Sequence, residues 1–339
     1  MTQPAPVDVL VMGAGTIGCF IGGSLAAEGV RVIFVGRPRV LEALARRGLT
    51  VSDLDGTERF VPPETLFLAD HVPAGIRPSL VLLTVKSAAT AEAAAELAAV
   101  LPAGTPVLSL QNGISNAAVA AKAAPMLYVL PGMVPYNVAE IAPGEFHRGT
   151  TGRLAAQRSR ALRPWLAVFD RAGVPIDRYD DMLPVQWGKL LLNLNNPVNA
   201  LSGLPLREQL LERGYRRCLA ALMDEALDAV SWANIVPAKL ASVSPRRMPA
   251  ILRLPTPLFR LVAARMLRID AMARSSMADD LALGRRTEID ALCGEVVRLA
   301  KSNGASAPLN EKMVELMEAW PERPEHLSAQ ELQSKLGLL

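Results

Sequence analysis

The sequence contains few cysteine, histidine and aromatic residues, and each shortage narrows the class of protein. Its 339 residues include only three cysteines, Cys19, Cys218 and Cys293, and only three histidines. Because the cysteines lie far apart without a C-x-x-C pair, we expect no disulfide framework and no metal site, and the simplest setting is a reduced cytoplasm. Aromatic residues make up 4% of the chain while alanine and leucine are abundant, which favours closely packed helices.

The chain also lacks a strong excess of charge and any long apolar run. Its 36 basic and 33 acidic residues give a net charge of +3, which does not indicate a nucleic-acid partner. No segment approaches about 18 uninterrupted apolar residues, and the chain starts with a predicted strand rather than a signal peptide. We therefore expect neither export nor a membrane span. The most apolar stretch, Pro255 to Ile269, is interrupted by arginines, so a buried helix is favoured over a membrane-surface helix.

The first half of the chain alternates apolar runs with alanine-rich helical patterns, which predicts a doubly wound α/β fold. A parallel strand that is covered on both faces has a continuous apolar sequence. The predicted strands are Val7 to Met12, Val30 to Val35, Leu80 to Val85, Thr105 to Leu110 and one near Tyr128 to Leu130. The predicted helices are Thr16 to Glu28, Val40 to Arg47 and Ala88 to Leu101. Right-handed crossovers then give a mostly parallel Rossmann sheet.

The second half has helical periodicity in its long segments after Pro184, which predicts an all-α domain. The predicted helices are Trp187 to Asn195, Arg207 to Ala233, Leu258 to Leu283 and Thr287 to Asn303. Before them, the mixed pattern of residues 134–177 fits late strands of the first domain, with a helix near Arg160 to Ala172. The chain length also favours two domains, and we place them at residues 1–182 and 183–339.

A glycine-rich turn follows the first predicted strand and opens the first predicted helix. It consists of Gly13, Ala14, Gly15, Thr16, Ile17 and Gly18, which form a G-x-G-x-x-G pattern. This pattern indicates a dinucleotide site when it lies between a strand and a helix, as it does here. Gly13 would permit the tight turn, Gly15 the approach of a pyrophosphate, and Gly18 close helix–strand packing. The N–H groups at the helix start would bind the phosphates. The turn predicts a dinucleotide site, with a flavin site or a simple turn as alternatives.

The end of the second predicted strand indicates which dinucleotide binds. NAD and FAD sites usually place an acidic residue there for the ribose hydroxyls, but this chain reads Val35-Gly36-Arg37-Pro38-Arg39. Because a guanidinium pairs with phosphate in bidentate geometry, Arg37 favours a ribose 2′-phosphate and therefore NADPH. Arg39 is more simply explained as a solvated residue at a helix start.

Two further strands end in polar residues, at the edge of the sheet where a doubly wound fold binds its ligand. These strand ends read Thr84-Val85-Lys86-Ser87 and Leu110-Gln111-Asn112-Gly113. Taken singly, Lys86 could be an ordinary edge charge and Asn112 part of a turn. Their shared position at one edge of the sheet favours a binding site.

The predicted helix that begins at Trp187 carries polar residues at helical spacing. Lys189, Asn193 and Asn196 stand at i, i+4 and i+7, on one face of a leucine-rich helix. Reduction of a ketone needs a proton donor for the developing alkoxide, and desolvation would lower the pKa of a lysine toward neutrality. A surface lysine and a satisfied core amide are the structural alternatives.

A second polar cluster contains Ser276 and Glu288. These residues are twelve positions apart, so they would share one face of a continuous helix, or lie on facing helices if Gly284 breaks it. Thr287 and Glu288 can also be interpreted as a helix start, with a cap followed by an acid.

Together these motifs resemble the ketopantoate reductase family (2-dehydropantoate 2-reductases) over most of the chain. The resemblance is carried by the glycine turn, Lys86, Gln111-Asn112-Gly113, Trp187-x-Lys189-x-x-x-Asn193, Ser275-Ser276-Met277 and Arg286-Thr287-Glu288-Ile289-Asp290. It implies that Lys189 is the general acid, that Glu288 positions the substrate and the lysine, and that Ser276 and Asn193 hydrogen-bond the substrate. It also implies that Lys86 and Asn112 face the nicotinamide, with Asn112 in reach of the substrate.

The reaction that the resemblance implies is the NADPH-dependent reduction of ketopantoate to pantoate, a step of pantothenate and coenzyme A biosynthesis. One departure concerns the second substrate asparagine: Pro197 stands where the family often has it, so we take Asn196 as the candidate and Asn199 as the alternative. A second departure is the segment Ser244 to Arg268, which we interpret as an insertion. One role for this segment is contact with the second subunit of a homodimer.

Two other functions remain open at this point. One is a related NADPH-dependent reductase of another 2-oxo acid or an imine, because a single hydrogen-bonded hydroxyl can decide discrimination between substrates. The other is an NADPH-binding sensor or scaffold without catalysis, because a fold alone does not establish chemistry.

Overall fold

The computed structural model describes residues 8–241, 243–264, 267 and 273–339. The chain divides into two compact units, Met1–Met182 and Leu183–Leu339. The first unit is α/β and the second is helical, which confirms the fold class predicted from the sequence.

The first unit contains two sheets. Its strands are β1 (Val9–Met12), β2 (Val32–Val35), β3 (Leu49–Asp53), β4 (Glu58–Val61), β5 (Phe67–Ala69), β6 (Leu80–Leu83), β7 (Pro106–Ser109), β8 (Tyr128–Met133), β9 (Val138–Ala142), β10 (Glu145–Arg148), β11 (Leu154–Gln157) and β12 (Ile176–Tyr179). The main sheet has the order β12-β11-β8-β7-β6-β1-β2-β5 within the described ranges. Its neighbours pair in parallel except β8 and β11, which are antiparallel. The parallel part thus extends from β8 to β5.

Helices cover both faces of the main sheet. They are α1 (Thr16–Ala27), α2 (Pro38–Arg47), α3 (Thr90–Val100), α4 (Asn116–Ala123) and α5 (Leu166–Arg171). Leu80 and Leu82 of β6 belong to the core that includes α1, while Val81 and Leu83 belong to the core on the opposite face, with α3 and α4. Burial on both faces explains why the strand sequences are continuous apolar runs rather than alternating ones.

A smaller sheet with the order β4-β3-β10-β9 packs against α1. Its two halves come from distant parts of the chain, because β3 pairs in parallel with β10 from Thr50 opposite Glu145 to Asp53 opposite Arg148. Buried Arg148 bonds the Asp53 carboxylate at 2.9 Å across this pair. The sequence prediction contained none of these strands, and the pattern of residues 134–177 showed only that late strands exist.

The second unit is built from helices, and several of them are shorter than the sequence predicts. They are α6 (Leu183–Asn193), α7 (Asn195–Ser202), α8 (Leu206–Leu211), α9 (Arg213–Trp232), α10 (Met248–Leu252), α11 (Thr256–Val262), α12 (Ser276–Ala282), α13 (Glu295–Ser302), α14 (Pro308–Glu318) and α15 (Ala329–Lys335). A π-helical turn, Asp290–Gly294, leads directly into α13.

Three helix predictions for this unit need correction. The predicted helix Arg207 to Ala233 is interrupted at Glu212, whose backbone is extended (φ −88°, ψ 116°). The predicted helix Leu258 to Leu283 is two helices, α11 and α12, and part of it lies outside the described residues. The helix predicted from Thr287 instead begins with the π-helical turn at Asp290.

Candidate cofactor and substrate sites

The glycine turn between β1 and α1 is held in place by the neighbouring strands. The amides of Gly13 and Ala14 both donate to the carbonyl of Val35, and the hydroxyl of Thr84 donates to the carbonyl of Gly13 at 2.7 Å. Gly13 has a φ of +114°, and a Cβ there would lie 2.6 Å from the amide nitrogen of Val85. Protein packing therefore requires a glycine at this position.

Gly15 and Gly18 meet different constraints. A Cβ on Gly18 would lie 2.2 Å from the carbonyl oxygen of Gly13, so the helix can approach the strand only without a side chain. A Cβ on Gly15 would meet no atom of the described residues within 4 Å. Because neither packing nor a positive φ calls for a glycine at position 15, the open space beside it fits a group that approaches from outside the protein.

The start of α1 suits an anion. Gly15 is exposed and, among the described residues, supplies the helix with no side-chain cap, and the first turn contains no acidic residue. The first N–H groups of a helix and its dipole together attract phosphate. The turn and the helix start therefore fit the pyrophosphate of a dinucleotide, as the sequence predicts.

Arg37 and Arg39 differ in their surroundings. Arg37 is exposed, two residues after β2 and directly before α2, whereas Arg39 pairs with the carboxylate of Glu140 at 3.2 Å. Asp70 and His71 follow β5, the strand beside β2, and their side chains are hydrogen-bonded to each other. This strand end was not predicted from the sequence, because β5 has only three residues and no continuous apolar run.

Lys86 and Asn112 follow the adjacent parallel strands β6 and β7. Lys86 is exposed and Asn112 is half-buried, and both come after the carboxyl end of their strand. The structure thus places both residues on the same edge of the sheet as the glycine turn, since β1 pairs in parallel with β6. This edge is where open α/β sheets bind their ligands.

Lys189 lies on α6, which is leucine-rich, and the next two residues, Leu190 and Leu191, are buried. Burial lowers the pKa of Lys189 to about 8, because the charged ammonium loses solvation. Asn193, one helical turn later, is 8% exposed. A lysine with a pKa near neutrality can both hold and release a proton at physiological pH.

The structure does not place Asn196 on the same helix as Lys189. α6 ends at Asn193, Leu194 forms a turn, and Asn196 belongs to α7. The prediction that Lys189, Asn193 and Asn196 share one face of a single helix is therefore wrong for Asn196. The position of Asn196 depends on the packing of α7.

Asn199 and Ser275 connect α7 to α12. The Oδ1 atom of Asn199 accepts the amide of Ser275 at 2.9 Å, and its Nδ2 atom donates to the carbonyl of Leu204. Ser275 caps α12 and donates its hydroxyl to the carbonyl of Asn196 at 3.1 Å. Asn199 is fully buried and both ends of its amide are used, whereas Asn196 is half-buried.

Ser276 is the first residue of α12, and it is exposed. The contacts of Ser275 bring this helix start against α7, so Ser276 lies near the Asn196 segment. α12 ends at Ala282, Gly284 follows with a φ of +61°, and half-buried Glu288 lies beyond it, outside any helix or strand. The structure thus excludes a continuous helix from Ser276 to Glu288.

The described residues contain no group of three or more histidine, cysteine, aspartate or glutamate side chains placed to hold a metal ion. Nor does any helix within the described ranges have the length and apolar character to cross a membrane.

Comparison with known proteins places these features in one family. The family described as "Ketopantoate reductase PanE/ApbA" matches residues 9–160, and its C-terminal counterpart matches residues 181–320. The 2-dehydropantoate 2-reductase of Halobacterium salinarum is 30% identical over 91% of this chain and 97% of its own length. That of Pyrococcus horikoshii is 27% identical over 90% and 94%.

Solved structures agree with this assignment. A PanE/ApbA family ketopantoate reductase from Ralstonia eutropha superposes with a TM-score of 0.79 and 27% identity, covering 94% of this chain and 99% of the other. D-mandelate dehydrogenase in complex with NADH and anilino(oxo)acetate gives a TM-score of 0.76 over 93% and 99%, but at 19% identity it shows the shared fold alone. The chain therefore belongs to the ketopantoate reductase family and is an oxidoreductase of this type.

Proposed function

We propose that this protein reduces ketopantoate to pantoate with NADPH, a step of pantothenate biosynthesis, because its relatives include proteins named 2-dehydropantoate 2-reductase. The observation that carries the proposal is Lys189, a lysine on α6 whose pKa burial lowers to about 8. We assign the nucleotide to residues 1–182 and the substrate groups to residues 183–339, the spans of the two compact units.

The fit of the first unit to a dinucleotide rests on the glycine turn. The open space at Gly15 and the uncapped start of α1 would take the pyrophosphate, with Thr16 and Ile17 supplying amides. Exposed Arg37 would bind the 2′-phosphate, since Arg39 is engaged by Glu140. Lys86 and Asn112, on the same sheet edge, would contact the nicotinamide half. When bound, NADPH supplies the hydride.

Lys189 would supply the proton. As the carbonyl carbon of the substrate accepts hydride, negative charge develops on its oxygen, and the Lys189 ammonium transfers a proton to that oxygen. The amine is left neutral, which its desolvated surroundings favour. Glu288 would position the lysine and the substrate.

Asn193, Asn196 and Ser276 would hold the substrate through hydrogen bonds. We favour Asn196 over Asn199, because the side-chain amide of Asn199 is fully buried and already bonds Ser275 and Leu204. Asn112 of the first unit would also hydrogen-bond the substrate.

The experiment that tests the proposal measures NADPH and NADH oxidation at initial rate with a matched set of 2-oxo acids. The central pair is ketopantoate and 3,3-dimethyl-2-oxobutanoate, which lacks only the 4-hydroxyl group. We expect ketopantoate to have a kcat/KM at least about a hundredfold higher, because a site that hydrogen-bonds a hydroxyl rejects the analogue without it.

Other outcomes select the other functions. Equal rates for the pair, or faster turnover of an aromatic 2-oxo acid such as phenylglyoxylate, would identify a reductase of another 2-oxo acid. Tight NADPH binding without turnover of any oxo acid or imine would support a sensor or scaffold.

A further inference from the structure

A buried hydrogen-bond network joins the two loops that carry Lys86 and Asn112. The Nε2 atom of Gln111 donates to the hydroxyl of Thr90 at 2.7 Å and to the carbonyl of Val85 at 2.9 Å. The hydroxyl of Thr90 donates in turn to Oδ1 of Asn116 at 3.0 Å. Thr90 is fully buried, and Gln111 and Asn116 are each 8% exposed.

The network ends on the backbone of Asn112. The Nδ2 atom of Asn116 donates to the carbonyl of Asn112 and, at 3.2 Å, to the hydroxyl of Ser87, which itself donates to the same carbonyl at 3.3 Å. At the other end, the hydroxyl of Ser109 donates to Oε1 of Gln111 at 2.9 Å. The carbonyl of Asn112 therefore accepts two hydrogen bonds, one from Asn116 and one from Ser87, and these fix the orientation of its peptide plane.

Thr90 and Asn116 stand at corresponding positions, because each is the first residue of its helix, directly after the N-caps Ala89 of α3 and Ser115 of α4. The hydroxyl of Thr90 contacts the side chain of Gln111 in the loop after β7 and that of Asn116 at the start of α4. The polar atoms of Thr90 therefore connect the start of α3 to the loop that carries Asn112.

We propose that Thr90, Gln111 and Asn116 are positioning residues that set Lys86 and Asn112 against the nicotinamide half of the cofactor. This inference rests on the proposed function, which gives Lys86 and Asn112 their contacts. A fully satisfied buried network rigidifies the backbone that it joins, which favours one geometry over many. The adenosine half, held by the glycine turn and Arg37, does not depend on the network.

The test compares Thr90→Val, which keeps the shape but removes the hydroxyl, with Thr90→Ser, which keeps the hydroxyl. Calorimetry gives the Kd of each variant for NADPH and for 2′,5′-ADP, which contains the adenosine half but no nicotinamide. We expect Thr90→Val to bind NADPH about tenfold more weakly and to lose about 10- to 100-fold in kcat, as small misplacements of reacting groups do. Its affinity for 2′,5′-ADP should stay within about twofold of the wild type, and Thr90→Ser should recover most of both losses.

Ser24→Ala is the matched control, since the buried hydroxyl of Ser24, in the same unit, has the carbonyl of Phe20 on α1 as its one partner among the described residues. It should leave both affinities and kcat unchanged. If Thr90→Val proves unfolded by circular dichroism, Asn116→Ala replaces it, because it removes the contacts to Asn112 from an independent position.

A parallel loss of NADPH and 2′,5′-ADP affinity in Thr90→Val would overturn the proposal, since it would show general damage to the unit. Unchanged NADPH affinity and kcat would also overturn it. Failure of the proposed function has a different signature: the wild type would bind NADPH without reducing ketopantoate, and the comparison of the two ligands would still decide the role of the network.

Discussion

At the residue scale, the proposed chemistry depends on the protonation of Lys189. Its pKa of about 8 is lowered by burial, so the side chain is mostly protonated below pH 8 and neutral above it. Reduction requires the protonated form, and we expect kcat/KM for ketopantoate to fall as the pH rises through about 8. Oxidation of pantoate requires the neutral form, so its kcat/KM should rise over the same interval.

Initial rates in both directions, from about pH 6 to about pH 10, measure these profiles. Lys189→Ala is the control: it should lower kcat by about 10²- to 10⁴-fold, leave NADPH affinity nearly unchanged and abolish the inflection. Profiles that keep the same inflection in Lys189→Ala would assign the titration to another group.

Arg37 decides the choice of cofactor if it binds the 2′-phosphate. Arg37→Ala should then weaken NADPH by about 10- to 100-fold, the worth of a charge-assisted contact, and leave NADH within about twofold. Arg39→Ala provides the matched control, because Arg39 follows two residues later but pairs with Glu140. Equal losses of NADPH and NADH affinity in Arg37→Ala, measured by calorimetry, would show that Arg37 does not recognise the phosphate.

At the scale of elements, α1 shows how two glycines of one motif differ. Gly15→Ala adds a Cβ that meets no described protein atom, so the fold should keep its stability while NADPH binds at least about tenfold more weakly. Gly18→Ala places a Cβ 2.2 Å from a backbone oxygen and should lower the free energy of unfolding by about 1 to 3 kcal/mol.

Urea unfolding and NADPH titration of both variants separate the two effects. Weaker NADPH binding in Gly15→Ala together with an equal loss of stability would mean that Gly15 serves packing after all.

In the second unit, the side chain of Arg216 ties α9 to the elements around it. Fully buried, it donates to the carbonyls of Leu210 and Leu211, which the break at Glu212 leaves without helical partners, and to those of Leu252 and Leu254. Its guanidinium also lies 4.2 Å from the ring centroid of Phe259 on α11. One side chain thus connects α8, α9, α10 and α11.

Arg216→Met should lower the free energy of unfolding by about 3 to 5 kcal/mol, because the buried carbonyls lose their donors. The control is Arg213→Met: exposed Arg213 donates to the carbonyl of Arg253, and its loss should cost less than about 1 kcal/mol. Urea unfolding measures both, and similar small losses would show that water replaces the contacts of Arg216.

Some structural elements could be predicted from the sequence, and others could not. The glycine turn and the central strands β1, β2, β6 and β7 follow from local patterns, a six-residue motif and continuous apolar runs, so they were predicted. The small sheet was missed because β3 pairs with β10, about a hundred positions away, and its short strands mix exposed and buried residues. The break at Glu212 was missed because the side chain of Arg216 stabilises it, through the carbonyls of Leu210 and Leu211 beside it and through distant contacts to Leu252 and Leu254.

At the scale of the whole molecule, we propose that one unit binds the nucleotide and that the other supplies the proton donor. The family was predicted from motifs in order along the chain and the fold class from apolar runs and helical periodicity, and both are confirmed. The roles of Lys189, Arg37 and Glu288 stay predictions, because each concerns a contact with the cofactor or the substrate.

The most direct test of the central claim follows the hydride itself. Purified enzyme is given ketopantoate and NADPH that carries deuterium at C4 of the nicotinamide, with the label on each face of the ring in turn. Mass spectrometry then measures the pantoate that forms. We predict pantoate with one deuterium at C2 from one of the two labelled cofactors and unlabelled pantoate from the other. Absence of pantoate with either cofactor, or pantoate without deuterium from both, would contradict the account.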